Sequence, residues 1–267
     1  MKIAVCIKQV PDPEAAFSMF KVDERAKKVI PAPGLRMVVS PFDEQALEAA
    51  LRVREAAGEA RITVMTLGTE SARAALKHGL AMGADDGVLL ADPAFEDGDA
   101  YTTARVLAAA VGKLGDCDMV LTGRQAADWD AGVVGCGIAE LLQLPAITFA
   151  RDVKVNNGTV RVERVVDTGC DVIEAPLPVV VTVSNELGAA RAPSLRETMR
   201  AARKPVVTWA ATDLGLPPGD VGRAGTRRTL ERLFVPERRG ACELVAGATP
   251  EEQGAKLARC LLEAKLL

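Results

Sequence analysis

Apolar residues along this chain follow two rhythms, and the shift between them divides it. Lys2 to Lys8 (KIAVCIK), Arg61 to Leu67 (RITVMTL), Gly87 to Ala91 (GVLLA) and Asp118 to Thr122 (DMVLT) are short, nearly continuous apolar runs. Parallel strands buried on both faces have that composition. Between them apolar side chains recur every three or four residues: Phe42, Ala46, Ala50, Val53 and Ala57; a segment from Glu70 to Met82; Ala104, Leu107, Ala108 and Val111; and Val134, Ile138, Leu141 and Leu142 before Pro145. This spacing predicts helices with one buried face. The first opens with Ser40 as N-cap, Pro41 as its first residue, and Asp43 and Glu44 in its first turn. Phe17 to Val39 mixes short β-prone pieces with Pro31, Pro33 and Gly34 and reads as an irregular or hairpin-like excursion. Strand and helix therefore alternate from Met1 to Pro145, which predicts an α/β fold with a doubly wound, Rossmann-like parallel sheet and a crevice at its strand ends.

Past Ala146 the pieces shorten. Arg151 to Val155, Val160 to Val166 and Cys170 to Ala175, with Asn156, Asn157 and Gly158 as a turn, predict an antiparallel hairpin extension over residues 150–176. Pro178 to Ser184 reads as a strand returning to the main sheet. A loop and a short helix, Ser194 to Arg203, follow and end at Pro205, with Leu195 in the exposed first turn. From Val206 the chain is rich in proline, glycine and basic clusters and reads as an extended arm. A last helix starts at Thr249, with Leu257, Ala258, Leu261 and Leu262 as its apolar stripe. Arm and helix either dock on another subunit or fold back on their own domain. The expected division is 1–205, including the hairpin and a loop at 184–205, and 206–267.

Composition narrows the function classes. A net charge of −3, from 33 basic and 36 acidic side chains, provides no basic field for nucleic acid. The longest apolar runs are strand-length and the amino terminus is too soon polar for a signal peptide, so no integral membrane segment and a cytoplasmic or matrix-type location are expected. Six cysteines without a CxxC pair fit reduced thiols better than disulfides or zinc. Aromatics are only 3%, which leaves packing to Ala, Val and Leu.

The candidate chemistry sits in GRQAADWDAGVV, Gly123 to Val134, between a strand and a helix, where unpaired N–H groups attract anions. It contains neither GxGxxG nor GxxxxGK[ST], so a nucleotide site and an ordinary surface loop both remain open. Asp128 and Asp130 either hold a ligand hydroxyl or cap a helix. No catalytic constellation stands out: His78 reads as a surface histidine, and Asp85 and Asp86 as turn residues. After the first strand stands QVPDPE rather than the SGGxDS of ATP-cleaving enzymes; a free-standing nucleotide-binding regulatory module of the universal-stress type is the rival of another class.

GRQAADWD followed by GCGIAELLQLP closely resembles the signature loop of the beta (small) subunit of electron-transfer flavoproteins, G-[KR]-Q-A-x-D-x-D-x-x-x-x-G. KIAVCIKQVPDP, VVSPFDEQALEAALRVRE, ALKHGLAMGADDGVLL and SLRETMRAARKPV resemble further segments of that family, in order, over nearly the whole chain. The resemblance implies an adenine nucleotide alpha-hydrolase-like fold and an electron carrier rather than a self-sufficient enzyme. It also implies pairing with an alpha subunit that shares FAD at the interface, and an adenine nucleotide here, either AMP or a second FAD in bifurcating members. The positions that match are Cys6; Ser40, Pro41, Phe42 and Asp43; Leu67; and Gly123, Arg124, Gln125, Ala126, Ala127, Asp128, Trp129, Asp130, Ala131, Gly132, Val133 and Val134. Phe42 is either a neighbour of the flavin or an ordinary helix-face residue. Val134-Gly135 stands where AMP-holding members often have threonine before the last glycine, and Trp129 either stacks on a ring or fills the space of a second flavin. Arg191 and Leu195 match the loop that contacts a flavin-dependent dehydrogenase, with Leu195 as the anchor or as a packing leucine. The chain departs from the family at GAARAPSL, Val165 and Thr168, which affects partner and subunit contacts.

Overall fold

The buried apolar runs become the middle of one sheet. In the computed structural model, which describes residues 1–236 and 242–266, the order is β1 (Lys2–Cys6), β2 (Gln9–Pro11), β3 (Phe20–Asp23), β4 (Lys28–Pro31), β5 (Met37–Val39), α1 (Pro41–Ala57), β6 (Arg61–Leu67), α2 (Arg73–Met82), β7 (Asp86–Leu90), α3 (Ala100–Leu114), β8 (Met119–Gly123) and α4 (Val134–Leu142). Then come β9 (Ala146–Asn156), β10 (Thr159–Val166), β11 (Gly169–Pro176), β12 (Val179–Val183), α5 (Leu195–Arg203), β13 (Val207–Trp209) and α6 (Pro250–Glu263). The sheet runs β11-β10-β9-β12-β8-β1-β6-β7-β13, and the excursion after β1 forms two small pairs, β2–β5 and β3–β4. All neighbours from β9 to β13 in that order are parallel, while β9, β10 and β11 are antiparallel. From β1 the chain winds out through β6 and β7, then back across to β8 and β12. The switch in direction opens a crevice at the carboxyl ends of β1 and β8, as the expected doubly wound fold requires.

Alternation along β1 sorts the two layers. Ile3 and Val5 join Leu47 of α1 and Leu76 of α2, whereas Ala4 and Cys6 join Leu107 of α3 and Ile138 of α4. With few aromatics, the helices approach closely: a Cβ on Gly137 would lie 2.8 Å from the Cβ of Ala104, so α3 and α4 cross almost backbone to backbone. The β9–β10 turn places Asn157 and Gly158 at φ 47 and 78, both positive as a tight hairpin needs.

The Pro- and Gly-rich stretch after Val206, expected to leave the sheet as an arm, stays with it as far as Glu231. β13 adds to the sheet edge in register with β7, Val207 opposite Val88, and Ala211 and Val221 are buried in the α3 layer. Ion pairs Arg105–Asp220 and Arg223–Asp97 hold the stretch, and the Asp99 carboxylate accepts the amides of Arg227 and Arg228 at 2.8 and 3.0 Å. A three-residue strand beside Pro205 is too short to register as periodicity. The boundary expected at 205/206 therefore falls after Glu231: one unit is Met1–Lys21 with Val29–Glu231, the other Val22–Lys28 with Arg232–Leu267. In the second unit Thr249 caps α6, accepting from the Glu252 amide at 3.3 Å, and no residue of α6 is buried. Among the described residues no helix is long and apolar enough to cross a membrane.

Candidate functional site

Three segments far apart in sequence meet at the carboxyl ends of β1 and β8, and a buried carboxylate ties them. Asp43, in the first turn of α1, is 6% exposed; its Oδ1 accepts the Gly123 amide and its Oδ2 the Lys8 amide, each at 2.9 Å. One side chain thus brackets the ends of the two strands that flank the switch point. Burial raises its pKa to about 7, against the pull of the two amides and of the Lys8 charge. The approach is close enough that Gly123 cannot carry a Cβ, which would lie 2.6 Å from Asp43 Oδ1 and 2.7 Å from Phe42 Cβ. Cys6, at the end of β1, is buried beside this bracket. Burial, then the negative Asp43 and neighbouring Cys117, push its thiol pKa far up, so it is a packed, inert thiol.

Ser40 occupies the N-cap position of α1 but does not cap it. Its hydroxyl accepts instead from the Ala127 amide at 3.4 Å, joining α1 to the loop. Pro41 supplies the first helical residue, where a missing N–H costs nothing. Lys8 Nζ pairs with Asp128 at 2.7 Å, and Gln125 Nε2 donates to Asp130 Oδ1 at 2.9 Å. Both loop carboxylates make contacts within the chain, and neither caps α4. Ala126 accepts the Asp130 amide at 3.0 Å, Asp130 and Gly132 take positive φ (47 and 65), and Ala131 lies exposed between them. Trp129 and Val133 are exposed at the loop's outer side, 53% and 48%.

The loop leads into α4, whose amino end, Val133 then Val134, has no side-chain cap. Its first-turn N–H groups point toward the loop and remain available to an anion. Gly135 brings this helix end down onto the sheet: a Cβ there would meet Thr182 Cγ2 at 2.6 Å and Thr122 Oγ1 at 2.7 Å. Arg124 lies between two rings, its guanidinium 5.0 Å from the centroid of Phe42 and 5.8 Å from that of Phe149. Nη1 donates to Ser184 Oγ at 3.3 Å, while the buried Nε has no partner. Ser184 in turn donates to Glu186, which keeps that carboxyl below its usual range.

Lys8, Phe149 and Ser184 belong to this cluster and sequence reasoning missed them. Phe149 takes φ 57, rare for a bulky side chain, where the β9–β12 register shifts. Nothing in AITFA signals it. Leu67, at the end of β6, packs half-buried against the α3 layer. A polar hollow of about 670 Å³ at the opposite, amino ends of the strands is lined by Met1, Arg54, Glu59, Arg61, Asp85 and Asp86. There Arg54–Asp85 and Arg61–Asp86 pair, and Asp85 accepts the Ile62 amide at 2.8 Å. His78, half-exposed, holds Glu44 at 2.9 Å.

The two residues expected at a partner surface behave differently. Leu195 is 78% exposed in the first turn of α5, behind a capping box of Ser194 and Glu197. Arg191 is turned inward: its guanidinium holds Glu48 at 2.7 Å and Glu55 at 2.5 Å, both on α1. It ties the loop to α1. Burial would raise the Glu48 pKa, but hydrogen bonds from Arg191 and Arg52 bring it down to about 2.

The model of the electron transfer flavoprotein domain matches residues 29–214, which takes in α1, the β8–α4 loop, α4, the hairpin extension and α5. The chain belongs to the electron transfer flavoprotein family. It is similar to the caffeyl-CoA reductase-Etf complex subunit CarD of Acetobacterium woodii, at 36% identity over 100% of both chains. It is likewise similar to the electron transfer flavoprotein subunit beta of Megasphaera elsdenii, at 37% over 90% of this chain and 89% of the relative. Protein FixA of Azorhizobium caulinodans is 36% identical over 90% of this chain and 86% of the relative. The matched span of this electron transfer flavoprotein chain ends inside the sheet unit, well before Arg232.

Proposed function

We propose that this chain is the beta-type subunit of a two-subunit electron transfer flavoprotein, and that the β1–β8 crevice holds an adenine nucleotide by its phosphates. The observation that carries this is the uncapped amino end of α4, opening beside the strand ends that Asp43 brackets. Helix N–H groups in that position suit phosphate oxygens. The buried, unpaired Nε of Arg124 adds a donor next to them. The chain's residues fit the group: amides and Arg124 toward phosphate, Ser40 and Asp43 as the rigid wall, Phe42 and Phe149 as apolar faces. When bound, flavin supplies the electron chemistry; this chain binds, orients and excludes water.

The remaining roles follow from placement. Residues 232–267, with α6 burying none of its own side chains, suit docking on an alpha subunit. Leu195 is the contact with a flavin-dependent dehydrogenase, and Arg191 positions its loop through Glu48. A second reading, FAD rather than AMP in this crevice, is favoured by Trp129, which is 53% exposed and available to stack on a ligand ring.

The test is to co-express the chain with an alpha subunit, denature the purified complex and identify the nucleotides released by chromatography. FAD with AMP supports the first reading and two FAD per complex the second. A complex that releases no adenine nucleotide beyond one FAD overturns the crevice assignment. A stable monomer carrying ATP alone would favour the regulatory module.

A further inference from the structure

Phe149 is held in a backbone conformation that its own packing does not explain. Its φ of 57 is uncommon for any residue with a Cβ and rarer still for a bulky one. The side chain is 41% exposed and belongs to neither buried layer, so core burial does not offset the strain. The strain is built in where β9 and β12 slip. Val181 stands opposite Ile147 and Val183 opposite Ala150, so β9 carries one residue more than β12 across that step. The Ser184 amide then reaches the Ala150 carbonyl at 2.8 Å and closes the pairing beyond it. Inside the slip, the Phe149 amide donates to Thr182 Oγ1 at 3.1 Å.

The strained turn places a ring beside Arg124. The guanidinium has Phe149 at 5.8 Å and Phe42 at 5.0 Å from its centre to theirs, which leaves this planar group its edge for donating. On that edge Ser184 Oγ accepts Nη1 at 3.3 Å, and the buried Nε has no partner among the described residues. Thr182, which holds the Phe149 amide, is itself buried and touches the other phosphate-facing element as well. Its Cγ2 lies where a Cβ on Gly135, in the first turn of α4, would meet it at 2.6 Å. One side chain therefore supports the ring on Arg124 through its hydroxyl and the uncapped end of α4 through its methyl.

We propose that Phe149 and Thr182 are positioning residues for the phosphate of the crevice nucleotide, acting through Arg124. The Thr182 hydroxyl holds the Phe149 amide in its left-handed turn. The ring so placed confines the guanidinium, and Arg124 meets a phosphate with its donors already aimed. A long, rotamer-rich side chain loses less freedom on binding when rings and a buried hydroxyl have already fixed it. Strain that buries little persists here because it serves the site. The inference rests on the proposed reading of the crevice as a nucleotide site.

The experiment uses the complex assembled with an alpha subunit and follows its uptake of radiolabelled AMP, supplied in excess, as the bound nucleotide leaves. Phe149→Gly removes the ring and relieves the positive φ. It should speed exchange about tenfold while the melting midpoint stays within a few degrees of wild type. Phe149→Tyr, which restores a ring, should bring the rate back. Thr182→Val keeps a methyl against Gly135 and deletes the acceptor, and should speed exchange about fivefold. Arg124→Ala should itself speed exchange about tenfold, and Phe149→Gly added to it should change nothing further, whereas a merely structural Phe149 would give two effects that multiply. A wild-type rate in either Phe149→Gly or Thr182→Val overturns the inference, as does an undiminished effect of Phe149→Gly in the Arg124→Ala background. A wild-type complex that holds no adenine nucleotide beyond one FAD and takes up no AMP fails at the crevice assignment itself, an outcome distinct from nucleotide held with unaltered exchange.

Discussion

Asp43→Asn tests the bracket at the head of the crevice. The carboxylate accepts two amides at 2.9 Å, and the carboxamide can accept only one while turning an N–H toward the other. Burial places the folded pKa at about 7 against 3.8 for an exposed aspartate. A raised carboxyl pKa means the folded chain binds the extra proton, so this residue's contribution is largest at low pH and is lost as pH rises through about 7. Two of those pKa units lie between pH 5 and pH 7, each worth about 1.4 kcal/mol. The stability difference between variant and wild type should therefore shift toward the variant by about 3 kcal/mol from pH 5 to pH 8. Other titrating groups cancel in that difference. Urea unfolding at both pH values measures it, through midpoint and slope. If the difference stays constant across this range, Asp43 is ionised throughout and the bracket is a carboxylate held by two amides rather than a proton-holding group.

Gly135→Ala should destabilise by about 1–3 kcal/mol in thermal melts, because its Cβ meets Thr182 at 2.6 Å, and should also lower nucleotide content of the purified complex by lifting α4 off the strand ends. Glu48→Gln should cost about 2 kcal/mol by replacing the charged acceptor that Arg191 and Arg52 share with a neutral amide that keeps only one acceptor oxygen, and hydrogen exchange should show residues 188–194 losing protection. Because Glu48 titrates near 2 rather than its usual 4.5, its contribution is present above 4.5 and lost as pH falls toward 2; the variant should show a shallower acid limb there. A chain ending at Glu231 should melt within a few degrees of full length, since the sheet unit ends there and no residue of α6 is buried, yet should fail to co-purify with an alpha subunit.

What the sequence disclosed was whatever repeats locally. Five-residue apolar runs and helical stripes located β1, β6, β7, β8 and α1 to α4 within a few residues, since burial on two faces leaves little choice of residue. Asn157-Gly158 specified its turn because few other pairs tolerate positive φ twice. Long-range partnership was not legible. Ser40 looks like a cap and is one by position, but its hydroxyl serves Ala127, 87 residues on. Arg191 matches a partner-contact loop by resemblance, but its ion-pair partner Glu48 lies 143 residues earlier. Phe149 sits unmarked inside a strand, because its φ is imposed by the slip between β9 and β12 rather than by its neighbours. β13 was hidden by its length and by the prolines around it.

The proposed nucleotide crevice also accounts for the absence of the usual dinucleotide fingerprint. In G-x-G-x-x-G one loop handles the tight turn, the close approach to phosphate and the seating of the helix on the sheet. In the proposed site those tasks are divided. Gly123 permits the close approach of α1 at the end of β8, with Asp43 Oδ1 only 2.6 Å from where its Cβ would stand. Gly135, twelve positions later, seats α4 between Thr122 and Thr182. The loop between them is tied by Lys8, Ser40 and its own Gln125–Asp130 bond. A longer loop fastened at several points can leave the amino end of α4 uncapped without collapsing onto it. The site therefore depends on side chains from β1 and α1 that a motif search confined to the loop would not find.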